Sequence, residues 1–369
     1  MKTAGIICEY NPFHNGHLYH INQTKKQADA VVCVMSGSFV QRGLPAVCDK
    51  FSRADAAVRH GADLVVELPT VFALSSAEKF AYGGVSILGA LGFVDMISFG
   101  AESENFRIVD EENKDFKNQI RAELDLGLSY AAAKANAAAK IFGIELSDKP
   151  NDILAYEYMK NIKKLGLGIE PLIIKRRFND YHSNLPIGKY ASASYIREHL
   201  ADAKKYTPEL PEISEITDFE KYKLASLAHI RCVDAAMLKE TYGCSEGLEN
   251  RLKQAANDAE SFEEFCELAG TKRYPSGRIL RLAACSMLGI KKGNYKPEYI
   301  RILSMSRTGC GLLHQNAIGL PVITNLSKQQ IPSKQLEIDI KAGNLRSLFT
   351  KNTKGGSDFR RSPRVISHG

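Results

Sequence analysis

The stretch Glu9-Tyr10-Asn11-Pro12-Phe13-His14-Asn15-Gly16-His17 decides how this chain is read. It follows the apolar run 4–8 directly and opens into 17–27, where apolar and polar residues recur at helical spacing. A short apolar run, a turn and a helix so close together mark the start of an α/β unit.

The pattern then repeats. Runs 30–35, 63–68 and 94–99 are short, apolar and bounded by Gly, Pro or polar residues, with helix-like segments 50–60 and 77–91 between them. Strand and helix alternating at this spacing predict a parallel sheet with right-handed crossovers. Ligands in such sheets bind beyond the carboxyl ends of the strands, where the 9–17 loop falls. Helices are expected over 115–126, 130–142 and 151–165, a strand over 171–176 and a helix over 194–200. Residues 1–205 are therefore expected to form an α/β, Rossmann-like domain, and the Pro/Glu/Ser-rich stretch 207–215 a linker. Beyond it, 221–241, 246–257, 261–268 and 276–288 have helical periodicity, and 300–305 and 322–324 look extended. The stretch 216–369 is expected to be a mainly α-helical second domain.

Composition narrows the class. Hydrophobic content of 44% and charged content of 25% suit a soluble globular protein, and 369 residues exceed what one core usually organises. No apolar stretch is long enough for a spanning helix, and the N-terminus lacks signal-peptide character, so a cytoplasmic protein without membrane contact is expected. The eight cysteines show no C-x-x-C spacing; they are read as reduced thiols, and no metal site is expected. The net charge is +7, and from 341 onward Lys341, Arg346, Lys351, Lys354, Arg360, Arg361 and Arg364 face only Asp358. A basic tail of this kind fits contact with nucleic-acid phosphates, and fits a solvated terminus as well.

The chemistry sits in the first loop. His14 and His17 are three apart, so one helical turn can put both imidazoles on one side. Gly16 between them lets a phosphate approach the backbone, and the helix start offers unpaired N–H groups. Two imidazoles there can donate to charge growing on a phosphoryl group. A pair of helix-capping or core histidines is the plainer alternative, and i, i+3 spacing alone is weak evidence for a metal. A second loop, Lys189-Tyr190-Ala191-Ser192-Ala193-Ser194-Tyr195-Ile196-Arg197, follows the last strand. Ser194 is a natural N-cap there, and Arg197 a forked phosphate donor.

The run 5–20 closely resembles the N-terminal signature of the bacterial tRNA(Met) cytidine acetate ligase family, which belongs to the HxGH nucleotidyltransferases. Met35-Ser36-Gly37, Gln41-Arg42-Gly43, Gly61-Ala62-Asp63-Leu64-Val65, Glu67-Leu68-Pro69, Ser98-Phe99-Gly100 and Lys149-Pro150-Asn151-Asp152 extend the likeness, as do Ser192-Ala193-Ser194 with Ile196-Arg197. Thr271-Lys272-Arg273-Tyr274 and Arg278-Ile279, with Arg281, look like the family's basic helical stretch.

The resemblance implies an enzyme that makes acetyl-adenylate from ATP and acetate, then acetylates N4 of the wobble cytidine in elongator tRNA(Met). ATP is a substrate, Mg²⁺ its expected counter-ion, and no obligate protein partner is implied. It also implies His14, His17 and Arg197 as catalytic. The nucleotide is expected on Ile7, Glu9, Tyr10, Asn11, Pro12, Phe13, His14, Asn15, Gly16, His17, His20, Gly100, Asn151, Arg176, Ser192, Ser194 and Arg197. From the residues alone Gly100 also reads as a turn glycine and Asn151 as part of a helix cap; the family matches favour binding for Asn151 and Arg176. Lys272, Arg273, Tyr274, Arg278, Arg281, Arg360 and Arg361 are the expected tRNA contacts, with a solvated charged face as the alternative. Lys50, Arg53 and Gln41-Arg42 are expected at the tRNA or the site mouth.

Competing readings are a small-molecule adenylyltransferase, which would need only the α/β domain, and a non-catalytic tRNA- or ribosome-binding protein, which would not need His14, His17 and Arg197. An aminoacyl-tRNA synthetase is disfavoured by the lack of a K-M-S-K-S-like loop.

Overall fold

The computed structural model describes residues 1–103, 106–175, 185–210, 212–245, 247–314, 318–328 and 332–367. Strands β1 (Thr3–Cys8), β2 (Ala30–Ser36), β3 (Leu64–Leu68), β4 (Met96–Ala101) and β5 (Glu170–Lys175) form the expected parallel sheet in the order β5-β4-β1-β2-β3. Both faces are covered, which is why these strands are near-continuous apolar runs. Helices Asn15–Thr24 (α1) and Lys50–Arg59 (α2) cover one face, with Ile6, Val31, Cys33, Met35 and Val65 beneath them. Helices Ala77–Leu91 (α3) and Pro150–Leu165 (α4) cover the other, over Val32, Val34, Val66 and Ile97. Gly84 on α3 lets that helix settle against β1, since a Cβ there would lie 2.6 Å from Ile7 Cδ1.

The sheet does not end with the first two hundred residues. Strand β6 (Ile300–Met305) pairs antiparallel with β3, and β7 (Val322–Ile323) and β8 (Arg364–Val365) pair parallel with β6. The expected mainly helical stretch 216–369 therefore divides. Helices Phe219–Cys232, Ala235–Glu240, Leu248–Asp258, Phe262–Ala269 and Ser276–Leu288 share a core around Ile230, Leu252, Phe265 and Ile279. The segment from 300 onward returns to the first unit. The reason is local: every residue of β6 is buried, so that strand needs neighbours on both edges and both faces. The expected continuous helix over 221–241 is broken at Val233-Asp234, where the Lys253 ammonium donates to the carbonyls of Ile230, Arg231 and Val233 at 3.1, 2.5 and 2.9 Å.

The return is held by buried charge. Lys50 Nζ lies 2.7 Å from Glu67 and 2.7 Å from Asp358, and Arg301 Nη1 lies 2.8 Å from Asp358 and 3.3 Å from Glu67. None of these side chains is more than 3% exposed. Lys50 is thus an internal cation and not a residue of the site mouth. Gly37 and Gly343 make room for the carboxylates, since a Cβ would fall 2.1 Å from Glu67 Oε1 and 2.4 Å from Asp358 Oδ2 respectively. Asp339 sits beside the cluster, accepting from Thr70 N–H at 2.7 Å and from the Tyr299 hydroxyl. Burial and the nearby Glu67 charge push the Asp339 carboxyl up to about 7, against the pull of Lys50.

Two stability measurements test this arrangement. Asp358→Asn leaves an uncompensated buried cation and is expected to cost about 3–5 kcal/mol in urea unfolding, whereas breaking the exposed Lys117–Glu112 pair should cost under about 1 kcal/mol. Equal losses would refute the buried lock. Asp339 binds its proton more tightly folded than unfolded, so stability should fall as pH rises from about 4, the ordinary Asp value, to about 7. Asp339→Asn should flatten that slope; an unaltered slope would assign it to other groups.

Candidate active site

The chain leaves β1 through Tyr10, a non-glycine residue at φ +45°. Its ring holds that conformation from inside: it is 1% exposed, edge-on to Phe13 at 5.0 Å between centroids, 4.8 Å from His17, and its hydroxyl lies 3.4 Å from Cys33 Sγ. The next peptide, Asn11–Pro12, is cis, and Asn11 Oδ1 accepts from Val47 N–H at 2.7 Å. Pro12 and Phe13 are buried.

Helix α1 begins at Asn15, two residues before the expected start, because His14 is its N-cap. His14 Nδ1 accepts from Gly16 N–H at 3.0 Å, and His17 Nδ1 accepts from the His14 N–H at 3.3 Å. This is a capping box built from two imidazoles. It fixes their tautomers, because a ring whose Nδ1 accepts carries its proton on Nε2. The rings stack with centroids 3.6 Å apart. Gly16 also has a role beyond open approach to the backbone: a Cβ there would lie 2.8 Å from the His14 ring. The capping and the donor readings of the pair are thus compatible, since capping uses Nδ1 and aims Nε2–H.

The second loop closes against the first. Helix Ala193–Glu198 (α5) is capped by Ser192, whose hydroxyl accepts from Tyr195 N–H at 3.1 Å. The expected cap, Ser194, instead lies inside the first turn and accepts from Arg197 Nη2 and Arg42 Nη1, each at 3.1 Å. The two serines are both spaced plausibly for a cap, and the extended backbone of residue 192 selects it. Arg197 Nη1 donates to the Asn11 carbonyl at 2.7 Å, and Asn15 Nδ2 to the Lys189 carbonyl at 2.8 Å. The structure thus brings His14, His17, Ser194 and Arg197 onto two stitched loops. Burial and the neighbouring Arg42 charge depress the Arg197 pKa, opposed by Glu9. Burial raises the Glu9 carboxyl, opposed by its bond from Gln41 N–H (2.6 Å) and by Arg197, Arg53 and Arg42.

The remaining candidates are spread around this centre. Ile7, the last residue but one of β1, packs against Gly84. His20 points down to β4, with Nε2 2.9 Å from Ser98 Oγ. Gly100 lies within β4 opposite Ile174, so it is a strand and not a turn glycine. Asn151 donates to Glu102 Oε1 at 2.8 Å, while Asp152 accepts the N–H groups of Glu102 and Ser103. Arg176 lies outside the described residues. Of the proposed tRNA contacts, Lys272, Arg273 and Arg360 are exposed, and Tyr274 packs under Arg278 at 5.0 Å. Arg278 also donates to the Gly243 carbonyl and Ser245 Oγ, Arg281 to the Gln41 carbonyl, and Arg361 pairs with Asp49 and Glu215.

Sequence reasoning misjudged Arg53. It is 1% exposed and donates to the carbonyls of Glu9 (2.5 Å), Ser36 (3.1 Å), Gly37 and Cys48 (3.3 Å). It clamps the chain where β1 and β2 end. A lone arginine on a helix carries no local mark of such a role.

Known proteins place this geometry in context. The family model described as HIGH Nucleotidyl Transferase matches residues 1–359. A tRNA(Met) cytidine acetate ligase of Acetivibrio thermocellus is 36% identical, covering 97% of this chain and 98% of its own. One from Limosilactobacillus reuteri is 37% identical over 100% of both. Crystal structures of Thermotoga maritima TmcAL superpose with TM-scores of 0.92 (apo, 33% identical) and 0.89 (bound with alpha-thio ATP, 32% identical), each over 100% of both chains. With a parallel sheet, a two-imidazole cap beyond β1 and relatives matching end to end, this chain belongs to the tRNA(Met) cytidine acetate ligase family of HIGH nucleotidyl transferases.

Proposed function

We infer that the protein uses ATP to activate acetate and acetylates N4 of the wobble cytidine in elongator tRNA(Met). The observation that carries the adenylation half is the pair of Nε2–H imidazoles fixed at the start of α1 by their own capping bonds. The tRNA half rests on full-length relatives of that name.

In this reading the triphosphate of ATP lies over the start of α1. His14 and His17 donate to the phosphoryl oxygens, and Arg197 and Ser194 take the outer phosphates. An acetate oxygen attacks the α-phosphorus, the bond to the bridging oxygen breaks, and pyrophosphate leaves with the electron pair. The cytidine amine then attacks the acetyl carbonyl, AMP departs and the amine proton passes to solvent. Donors already oriented by the backbone need no reorganisation as charge grows, which is the efficient form of such stabilisation. Mg²⁺ would travel as the counter-ion of the ATP phosphates. No described helix is long and apolar enough to cross a membrane.

Pyrophosphate release by the purified protein should require acetate, with acetyl label then appearing in a methionine tRNA. His17→Ala should cut kcat about 10²- to 10³-fold while tRNA binding persists. Turnover without acetate, on a phosphorylated cofactor precursor, would overturn the acetylation reading. Lys272→Ala/Arg273→Ala should weaken tRNA binding and lower its salt slope by about one per lost phosphate contact. An unchanged slope would remove these two residues from the interface.

A further inference from the structure

We propose that Arg42, at the tip of the turn after β2, is a second phosphate-binding arginine that grips the leaving pyrophosphate together with Arg197. The proposal rests on the adenylation reading above and adds a residue to it.

The turn is rigid before any ligand arrives. Val40 and Gly43 are joined by a main-chain hydrogen bond of 2.9 Å, and Gly43 has φ +80°. Behind it, helix Ser276–Leu288 packs so closely that a Cβ on Gly43 would lie 2.4 Å from Arg281 N. Tyr222 donates to the Gly43 carbonyl at 2.9 Å and Arg281 Nη1 to the Gln41 carbonyl at 3.4 Å. In front, Gln41 N–H donates to Glu9. The exposed Arg42 side chain is left to extend towards α5.

There it meets Arg197 on one neutral oxygen. Ser194 Oγ accepts from both guanidinium groups at 3.1 Å. A hydroxyl oxygen has two lone pairs, so with both occupied its own hydrogen points elsewhere as a donor. Among the described residues neither guanidinium is in ion-pair contact with a carboxylate. Two cations and a hydroxyl donor thus converge with Glu9 nearby as a counter-charge but no carboxylate in direct contact, beside the loop that carries His14 and His17. Like charges held together in this way fit a multiply charged oxyanion, and guanidinium forks suit phosphate oxygens. Pyrophosphate has the matching charge, and the adenylate that remains behind lacks those phosphates.

The test is acetate-dependent ATP–pyrophosphate exchange by the full chain, alongside inhibition by a non-hydrolysable acetyl-adenylate analogue. Arg42→Ala should raise the half-saturating pyrophosphate concentration about 10- to 100-fold and slow acetate-dependent formation of pyrophosphate from ATP, while analogue inhibition stays within about twofold. Arg42→Lys, which keeps the charge and loses the fork, should fall between. If Arg42→Ala weakens analogue and pyrophosphate equally, Arg42 is only a strap to Ser194 and the proposal fails. It fails equally if neither affinity moves. If Arg42→Ala does not fold, the Arg42→Lys pyrophosphate affinity decides alone, and a wild-type value there overturns the proposal. Absence of acetate-dependent exchange in the unmodified protein would instead overturn the adenylation reading itself.

Discussion

A guanidinium taken out of water must find acceptors for its N–H groups, and Arg53 finds them in four main-chain carbonyls where β1 and β2 end and α2 begins. Strand ends are the least restrained part of a parallel sheet, because the ladder stops there and loops depart in different directions. One planar cation with fixed donor directions ties two of those departures together. The positive-φ turn at Tyr10, the cap at His14 and the approach of α5 all start from backbone whose place Arg53 sets. Removing its side chain would leave those carbonyls buried without their donors, so the damage would spread beyond one contact.

The second constraint is charge at the far side of the sheet. Lys50, Glu67, Arg301 and Asp358 balance as two cations and two anions. Such a cluster gains little over well-packed apolar residues, yet it strongly disfavours any arrangement in which one member is missing. It therefore acts on topology more than on net stability, requiring that 300–365 return to the sheet begun by 1–101. The helical unit between them enters and leaves beside the sheet, and this brings Tyr222 and Arg281 against the turn at Gly43.

What was legible in the chain follows from range. The strands β1–β5 and their helices were readable because period and punctuation are local properties. So was the site loop, where apolar run, turn and H-N-G-H succeed one another. Ser192 and Ser194 both satisfy the spacing of an N-cap, and only backbone geometry separates them in favour of Ser192. The break at Val233-Asp234 was invisible because its cause, Lys253, arrives from another helix. Lys50 and Arg53 look like surface cations for the same reason: apart from the Cys48 carbonyl, their acceptors lie where β1 and β2 end, on β3 and near the C-terminus, and no window of sequence contains them. Arg278 and Arg361 look in the sequence like free charge in a basic stretch, whereas each is held by protein acceptors, so the number of basic residues overstates the charge available to RNA.

That same long-range packing bears on how the two halves of the molecule work together. The turn 40–43 touches Glu9 on one side and the helical unit on the other, so neither can move far without shifting Gln41 and Arg42. Glycine at 43 permits a contact so close that there is no slack for a side chain. A polyanion settling on the helical unit would act on the helix that carries Arg278 and Arg281, and the next rigid body along is the turn that carries Arg42. Packed interiors transmit displacement instead of absorbing it. Geometry at the turn that carries Arg42 is thereby set jointly by the sheet and by the helical unit, so the proposed phosphate contact at Arg42 depends on both.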